Sequence, residues 1–268
     1  MAIDKNSNVF TFAFATIMVV VVGTILAFLF ISLKPMQVAN EEDKKKMDIM
    51  GAIGFESGSE PGQANRLNSG ELFDQYVIER ISLNSQGEVI KTSSGPIITG
   101  DKTDPFNIDV KKEYKSKIKK VAKKFKKDPE GLETAMQDLE VSFPLYKCER
   151  EGNELYVIPV SGTGLWGPIW GYVALEKDFT TIYGAKFDHD GETPGLGAEI
   201  KEDFFQVRFT GKTMNYGNKN VFEVVKGGTP NMKDYQVDGI TGGTITSKGV
   251  GEMVNRTLKI YENYFKTL

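Results

Sequence analysis

The chain has 268 residues, of which 40% are hydrophobic, with a formal net charge of −3, one Cys and one His. Cys148 alone closes no intramolecular disulfide, and a single Cys with a single His makes no clustered zinc site. The near-neutral charge excludes the strongly basic face of a nucleic-acid binder, and any Ser-His-Asp or Cys-His scheme has to run through His189.

Residues 1–9 read as a short polar tip. From Phe10 to Leu33 there are 24 consecutive residues without a charge. As a helix this run is about 36 Å long, enough to cross a hydrocarbon core of about 30 Å. A cleaved signal peptide is the competing reading. Its apolar stretch is shorter, about 7–15 residues, and Gln37-Val38-Ala39 is a poor cleavage site. The run is therefore read as a retained anchor over 10–33. Lys34, Lys44, Lys45 and Lys46 on its C-terminal side outnumber Lys5, so a literal count of basic residues puts that side inside.

Residues 34–55 form a charged stalk or helix leaving the membrane, and Gly51, Gly54, Gly58, Pro61 and Gly62 mark a loop-rich lead-in. The globular pattern runs over 56–268. Phe73, Tyr76, Val77, Ile78 and Ile81 suggest helix or strand, and Gly87 with Val89-Ile90 a turn and a strand. Residues 111–127 hold ten Lys and one Glu. Such a run can bind acidic lipid headgroups or an acidic partner. However, Tyr114, Ile118, Val121, Ala122 and Phe125 fall at helical spacing, which favours an amphipathic helix with a solvated Lys face, ended by Pro129 and Gly131.

After Phe143 the chain reads as β-rich. Residues 155–160, 204–209 and 221–225 are strand candidates. From Ser247 onward Val250, Val254, Leu258, Tyr261 and Phe265 predict a helix with Thr246 or Ser247 as its N-cap. Strands and helices do not alternate as βαβ units, so the class is α+β: one transmembrane helix, then a soluble mixed domain with an antiparallel sheet.

Three segments carry chemistry. Residues 161–171 hold both tryptophans among four glycines: either a ligand wall or a hairpin whose Trp side chains fill the core. Residues 189–197 (HDGETPGLG) form a Pro-centred turn beside the one His. No Gly-x-Ser-x-Gly elbow accompanies it, so a solvated loop His is preferred to a catalytic base. Residues 238–249 (DGITGGTITSKG) precede the last helix. They favour a phosphate through backbone N–H groups, or are a plain turn with an N-cap.

Together the N-terminal anchor, the Gly-Leu-Trp segment, the Glu-Thr-Pro-Gly-Leu-Gly turn and the Asp-Gly-x-Thr-Gly-Gly-Thr-x-Thr-Ser run resemble the C subunit of the bacterial sodium-translocating NADH:quinone reductase. The resemblance implies FMN joined through its phosphate to a threonine hydroxyl, here Thr244. The family more often has Ser-Gly-Ala-Thr where this chain has Thr241-Gly242-Gly243-Thr244; both differences keep small residues. It also implies that Gly164, Leu165 and Trp166, with Glu192, Thr193, Gly195, Leu196 and Gly197, flank the flavin. Thr241, Gly242, Gly243, Ile245, Thr246 and Ser247 surround the attachment point, with Thr246 and Ser247 donating to phosphate oxygens. Asp238, which would repel a phosphate, is left to recognition by the attaching enzyme. No catalytic side chain and no metal ligand are expected, because the flavin carries the redox chemistry.

The partners implied are other subunits of a membrane redox complex, membrane lipid, and a flavin transferase that uses FAD and a divalent metal. The family's function is to relay electrons toward quinone in a complex that exports sodium, from the cytoplasmic (inner) membrane with the flavin domain outside. That orientation leaves residues 1–9 cytoplasmic, against the literal Lys count. Two alternatives are the flavin-bearing G subunit of the related Rnf complex, which shares the motif and an anchor, and a non-redox anchored ectodomain.

Overall fold

A computed structural model describes residues 7–98, 100–125, 128–218 and 220–268. Most of the polar tip (1–6) and Lys126–Lys127 of the basic run lie outside them. The described chain divides into one compact unit ending at Lys45 and a second spanning Lys46–Leu268, which begins ahead of residue 56.

The first unit is one helix. It belongs to α1, Asn8–Ala52, which runs without a break through Pro35 and the charged stalk. Its apolar stretch has a mean hydropathy of 2.8 and none of it is buried against protein. An exposed face of Phe, Val, Ile and Leu on all sides matches a hydrocarbon solvent rather than water. The last turns of α1 belong to the second unit, where Ile49, Met50, Ala52 and Ile53 are fully buried.

The second unit is an α+β domain. After α2 (Ser69–Tyr76) come β1 (Val77–Leu83) and β2 (Val89–Ser93), as their apolar pattern and Gly87 predict. The basic run forms α3 (Val110–Glu113), a π-turn over Tyr114–Ile118, and α4 (Lys119–Lys124). Tyr114 and Ile118 point inward and the lysines are exposed. Pro129 does not end this run. It stands in the first turn of α5 (Pro129–Gln137), where its missing N–H costs nothing, and Asp128 caps the helix by accepting from Gly131 N–H at 3.0 Å.

Strands β3 (Phe143–Arg150), β4 (Asn153–Thr163), β5 (Pro168–Glu176) and β6 (Ile182–His189) join β1 and β2 in a six-stranded sheet of order β2-β1-β3-β4-β5-β6. Every pairing in it is antiparallel. Alternation along the strands splits the core in two. Leu145, Tyr156 and Ile158 face one apolar cluster; Tyr146 and Val157 face the other, which holds Ile49, Met50 and Phe73.

The strand expected over 204–209 is helical instead: α6 (Asp203–Gln206), then a 3₁₀ turn over Val207–Phe209. Phe205 and Phe209 are buried four residues apart while Phe204 and Val207 are exposed, a helical spacing rather than an alternating one. Of 221–225 only β7 (Glu223–Val225) is extended, paired in parallel with β8 (Gln236–Asp238). The chain ends in α7 (Thr244–Phe265), which packs Val250, Val254, Leu258 and Tyr261 into the first cluster. Its N-cap is Gly243 rather than Thr246 or Ser247, so the helix begins three residues before Ser247.

Candidate functional site

The three chemistry-bearing segments come from distant parts of the chain and meet at one place. Gly164–Gly167 is the tip of the β4–β5 hairpin, closed by Gly164 N–H on the Gly167 carbonyl at 2.8 Å. Residues 193–198 form a turn in which Leu196 N–H and Ala198 N–H both reach the Thr193 carbonyl at 3.1 Å. Gly195 N–H is held by the Glu199 carboxylate at 2.8 Å. Thr241–Gly243 turns into α7, with Gly242 at φ +82°, where a side chain would be strained.

Glu192 ties the segments together. It is 4% exposed. Its Oε1 accepts from Trp166 N–H at 2.8 Å and Gly167 N–H at 3.2 Å, and its Oε2 accepts from the Thr246 hydroxyl at 2.5 Å. The same hydroxyl accepts from Leu165 N–H at 3.4 Å. A Cβ on Gly164 or on Gly197 would lie 2.5 Å from this carboxylate, so both glycines leave the room it needs.

Thr246 and Ser247 are buried. Their hydroxyls serve the protein: Thr246 donates to Glu192, and Ser247 Oγ accepts from Ile240 N–H at 3.0 Å. The Thr246 hydrogen is thus committed to Glu192, while Ser247 only accepts and keeps its own hydrogen for another acceptor. Thr244, by contrast, is half-exposed, opens α7, and among the described residues has no hydrogen bond from its hydroxyl. Gly243 offers no side-chain cap, and the first bond of the helix is Ser247 N–H to the Gly243 carbonyl. The N–H groups of Thr244, Ile245 and Thr246 therefore have no intrahelical acceptor, and they favour an anion.

The neighbourhood of Thr244 is apolar and open. Trp166 is 71% exposed, and Leu165, Leu196 and Ile245 are exposed as well. The tryptophans do not fill the core: Trp166 stands at the hairpin tip, and Trp170 is half-buried under the ammonium of Lys111, 4.1 Å from its ring centre. A free hydroxyl, unmade helix N–H bonds and an exposed aromatic and aliphatic fringe fit a flavin phosphate with its ring lying against the surface. A cavity of about 170 Å³ elsewhere, lined by Met136, Arg256 and Ile260 among others, contains none of these residues.

Sequence reasoning missed what holds the loop that leads into α7. Arg208 donates through one terminal nitrogen to the Asp238 carbonyl at 2.9 Å and the Gly239 carbonyl at 3.3 Å. Asp238 itself accepts from Gly228 N–H at 2.8 Å, which gives it a part inside the fold. His189 is not a solvated loop residue either; it ends β6 half-buried, and its Nδ1 accepts from Gly191 N–H and Glu192 N–H. Arg208 meets its carbonyls 30 and 31 residues away and Asp238 its amide 10 residues away, so no local pattern marks them, whereas the partners of His189 lie two and three residues on in the same turn. Among the described residues there is no cluster of three or more metal-ligating side chains.

Residues 164–259, which include the second and third segments and the first from Gly164 onward, match a family model described as an FMN-binding domain. The C subunit of a Na(+)-translocating NADH-quinone reductase from Vibrio anguillarum is 30% identical over 224 residues, covering 82% of this chain and 78% of that one. The corresponding C subunit from Pseudomonas aeruginosa is 28% identical over 257 residues, covering 94% and 92%. The crystal structure of the C subunit of a Na(+)-translocating NADH-quinone reductase from Parabacteroides distasonis superposes with a TM-score of 0.66 at 30% identity, covering 88% of this chain and 98% of that one.

Proposed function

The chain belongs to the C-subunit family of the Na(+)-translocating NADH-quinone reductases, and on that premise we propose that it carries FMN as a phosphoester on Thr244 and serves as an electron relay of the membrane complex, coupled there to sodium export. The single observation that carries the attachment reading is the hydroxyl of Thr244: half-exposed, without a partner among the described residues, at the first position of a 22-residue helix. When bound, FMN supplies the electron-accepting and electron-donating chemistry.

This chain's residues do the rest. The Thr244 hydroxyl supplies the ester oxygen. The N–H groups of the first turn of α7 and its dipole favour the phosphate charge. Gly242 and Gly243 keep side chains away from it. Leu165, Trp166, Leu196 and Ile245 offer the apolar surface that shields the ring from water. Glu192 keeps the hairpin tip and the helix at a fixed separation. The apolar stretch of α1 anchors the chain in the cytoplasmic membrane as a single span, with the flavin domain on its outer side and other subunits as electron partners.

Mass spectrometry of the peptide bearing Thr244 tests the attachment. Chain produced with a flavin transferase gains the mass of FMN less one water, Thr244→Ser retains the adduct, and Thr244→Ala lacks it. An unmodified wild-type peptide, or an adduct on another residue, overturns the reading. For the side of the membrane, a membrane-impermeant thiol label on a Cys placed in the stalk reacts in intact cells; reaction only after lysis overturns that part.

A further inference from the structure

His189 is the protein's one imidazole. Its Nδ1 accepts two backbone hydrogens, from Gly191 and from Glu192, at 3.2 Å each. A ring nitrogen that accepts from two donors carries no proton, so the neutral ring holds its hydrogen on Nε2. Nε2 is sealed from solvent and has no hydrogen-bond partner among the described residues. A buried ring N–H left unmade needs an explanation. The two amides served from the other side of the ring supply it.

Those amides belong to the turn that delivers Glu192. Gly191 sits at φ +138°, a conformation other residues rarely adopt, and the next residue is the buried carboxylate. From there the hydrogen bonds lead to Trp166, Gly167 and Thr246. The path therefore runs from imidazole to turn, from turn to carboxylate, and from carboxylate to both the hairpin tip and the first turn of α7.

We infer that His189 is a positioning residue of the flavin site: its unprotonated Nδ1 locks the 190–192 turn, so that Glu192 holds Trp166 and Gly167, and through the Thr246 hydroxyl Leu165, at the first turn of α7. The inference rests on reading Thr244 as the attachment residue. The latch itself is a property of the polypeptide and can be judged without flavin.

The full chain is used, made with and without a flavin transferase. With one His present, the imidazole signals in a nitrogen-15 NMR spectrum need no assignment. On the unflavinylated chain at neutral pH they report an Nε2–H tautomer; an Nδ1–H tautomer or an averaged pair overturns the latch. Two variants separate acceptor chemistry from shape. His189→Asn places Oδ1 at the reach of Nδ1, whereas His189→Gln places its amide at the reach of Nε2 and leaves the Nδ1 position empty.

Amide exchange at Glu192, Trp166 and Gly167 speeds up about tenfold in His189→Gln and His189→Ala and returns near wild type in His189→Asn. On the flavinylated chain the visible circular dichroism band weakens and recovers in the same order. Equal behaviour of Asn and Gln, or wild-type exchange in His189→Ala, overturns the inference. If His189→Ala does not fold, the Asn–Gln contrast and the tautomer decide. A wild-type chain without the adduct refutes the Thr244 reading alone, because the tautomer and exchange results are read without flavin.

Discussion

Replacing Glu192 with Ala removes one acceptor group and strands three donors. A hydrogen bond to a charged group contributes about 1.5–3 kcal/mol when its loss leaves the partner dry. The Thr246 hydroxyl, 1% exposed, has no route to water and loses the full amount. The Trp166 and Gly167 N–H groups lie at a half-buried hairpin tip, where water entering the vacated space replaces most of what is lost. Counting the first bond at about 2 kcal/mol and the other two at about a third of that gives about 3 kcal/mol. For a domain of 150–250 residues each kcal/mol lowers Tm by about 2–4 °C, so Glu192→Ala is expected to melt about 6–12 °C below wild type. Glu192→Gln keeps Oε1 for the two N–H groups and disturbs only Thr246, so it costs about 1 kcal/mol. Thermal unfolding followed by circular dichroism at neutral pH measures both. An Ala variant within about 2 °C of wild type, or a Gln variant as damaged as Ala, refutes the assignment of Glu192 as the tie between hairpin and helix.

Asp104 is buried in a two-bond pair with Arg80, at 3.0 and 2.7 Å. Burial pushes its carboxyl up, but the Arg80 guanidinium and the Phe106 N–H outweigh this and hold it below the usual carboxylate value. The stability it contributes is therefore fully present above about pH 4 and lost as pH falls through the lowered folded value. Asp104→Asn costs about 3–5 kcal/mol at neutral pH, and its stability declines less steeply below pH ~4; an unchanged acid slope in urea titrations contradicts this. A Cβ on Gly243 would lie 2.8 Å from the Leu196 carbonyl oxygen, so Gly243→Ala forces the 241–243 turn away from the 193–198 turn. It should cost about 1–3 kcal/mol and reduce flavin incorporation, and undiminished adduct by mass spectrometry counts against the close approach. A chain starting at Lys46 keeps Ile49, Met50 and Ile53, all fully buried, and should unfold cooperatively. One starting at Gly54 loses about 5–9 kcal/mol of burial, comparable with the stability of a whole domain, and should lack a native transition; coincident melts for the two refute the role of the last helical turns.

The anchor, the strands over 155–160 and the last helix are legible in the sequence because each depends on a pattern within one element. An uncharged run of that length has one favourable solvent, and a buried face repeats at a fixed period whatever it packs against. The same rule explains the error at 204–209, where aromatic and β-branched residues read as a strand. Burial of Phe205 and Phe209 four residues apart against Phe187 of β6, with Phe209 also on Phe222, goes with a helical stretch, and only the packed neighbours determine it.

The site divides along the same line. Its three segments stand out in the sequence by their glycines and tryptophans, and the resemblance they carry points to the family. What the segments do to one another was not legible. Glu192 meets Thr246 across 54 positions and Trp166 across 26, so a carboxylate that reads as one more turn residue becomes the tie only when the sheet and α7 bring those partners within hydrogen-bond reach. His189 differs: its partners are two and three residues away, and it reads as a loop residue because the spacing does not show that the 189–192 backbone folds back onto Nδ1. The sequence by itself determined the anchor and the α+β class, both properties of local spacing and composition, whereas Thr244 is singled out as the attachment hydroxyl only through the family resemblance that the three segments carry. The tertiary structure decided which polar groups are consumed in holding the site and which hydroxyl is left over, because hydrogen-bond satisfaction in a buried site depends on neighbours far away in the chain.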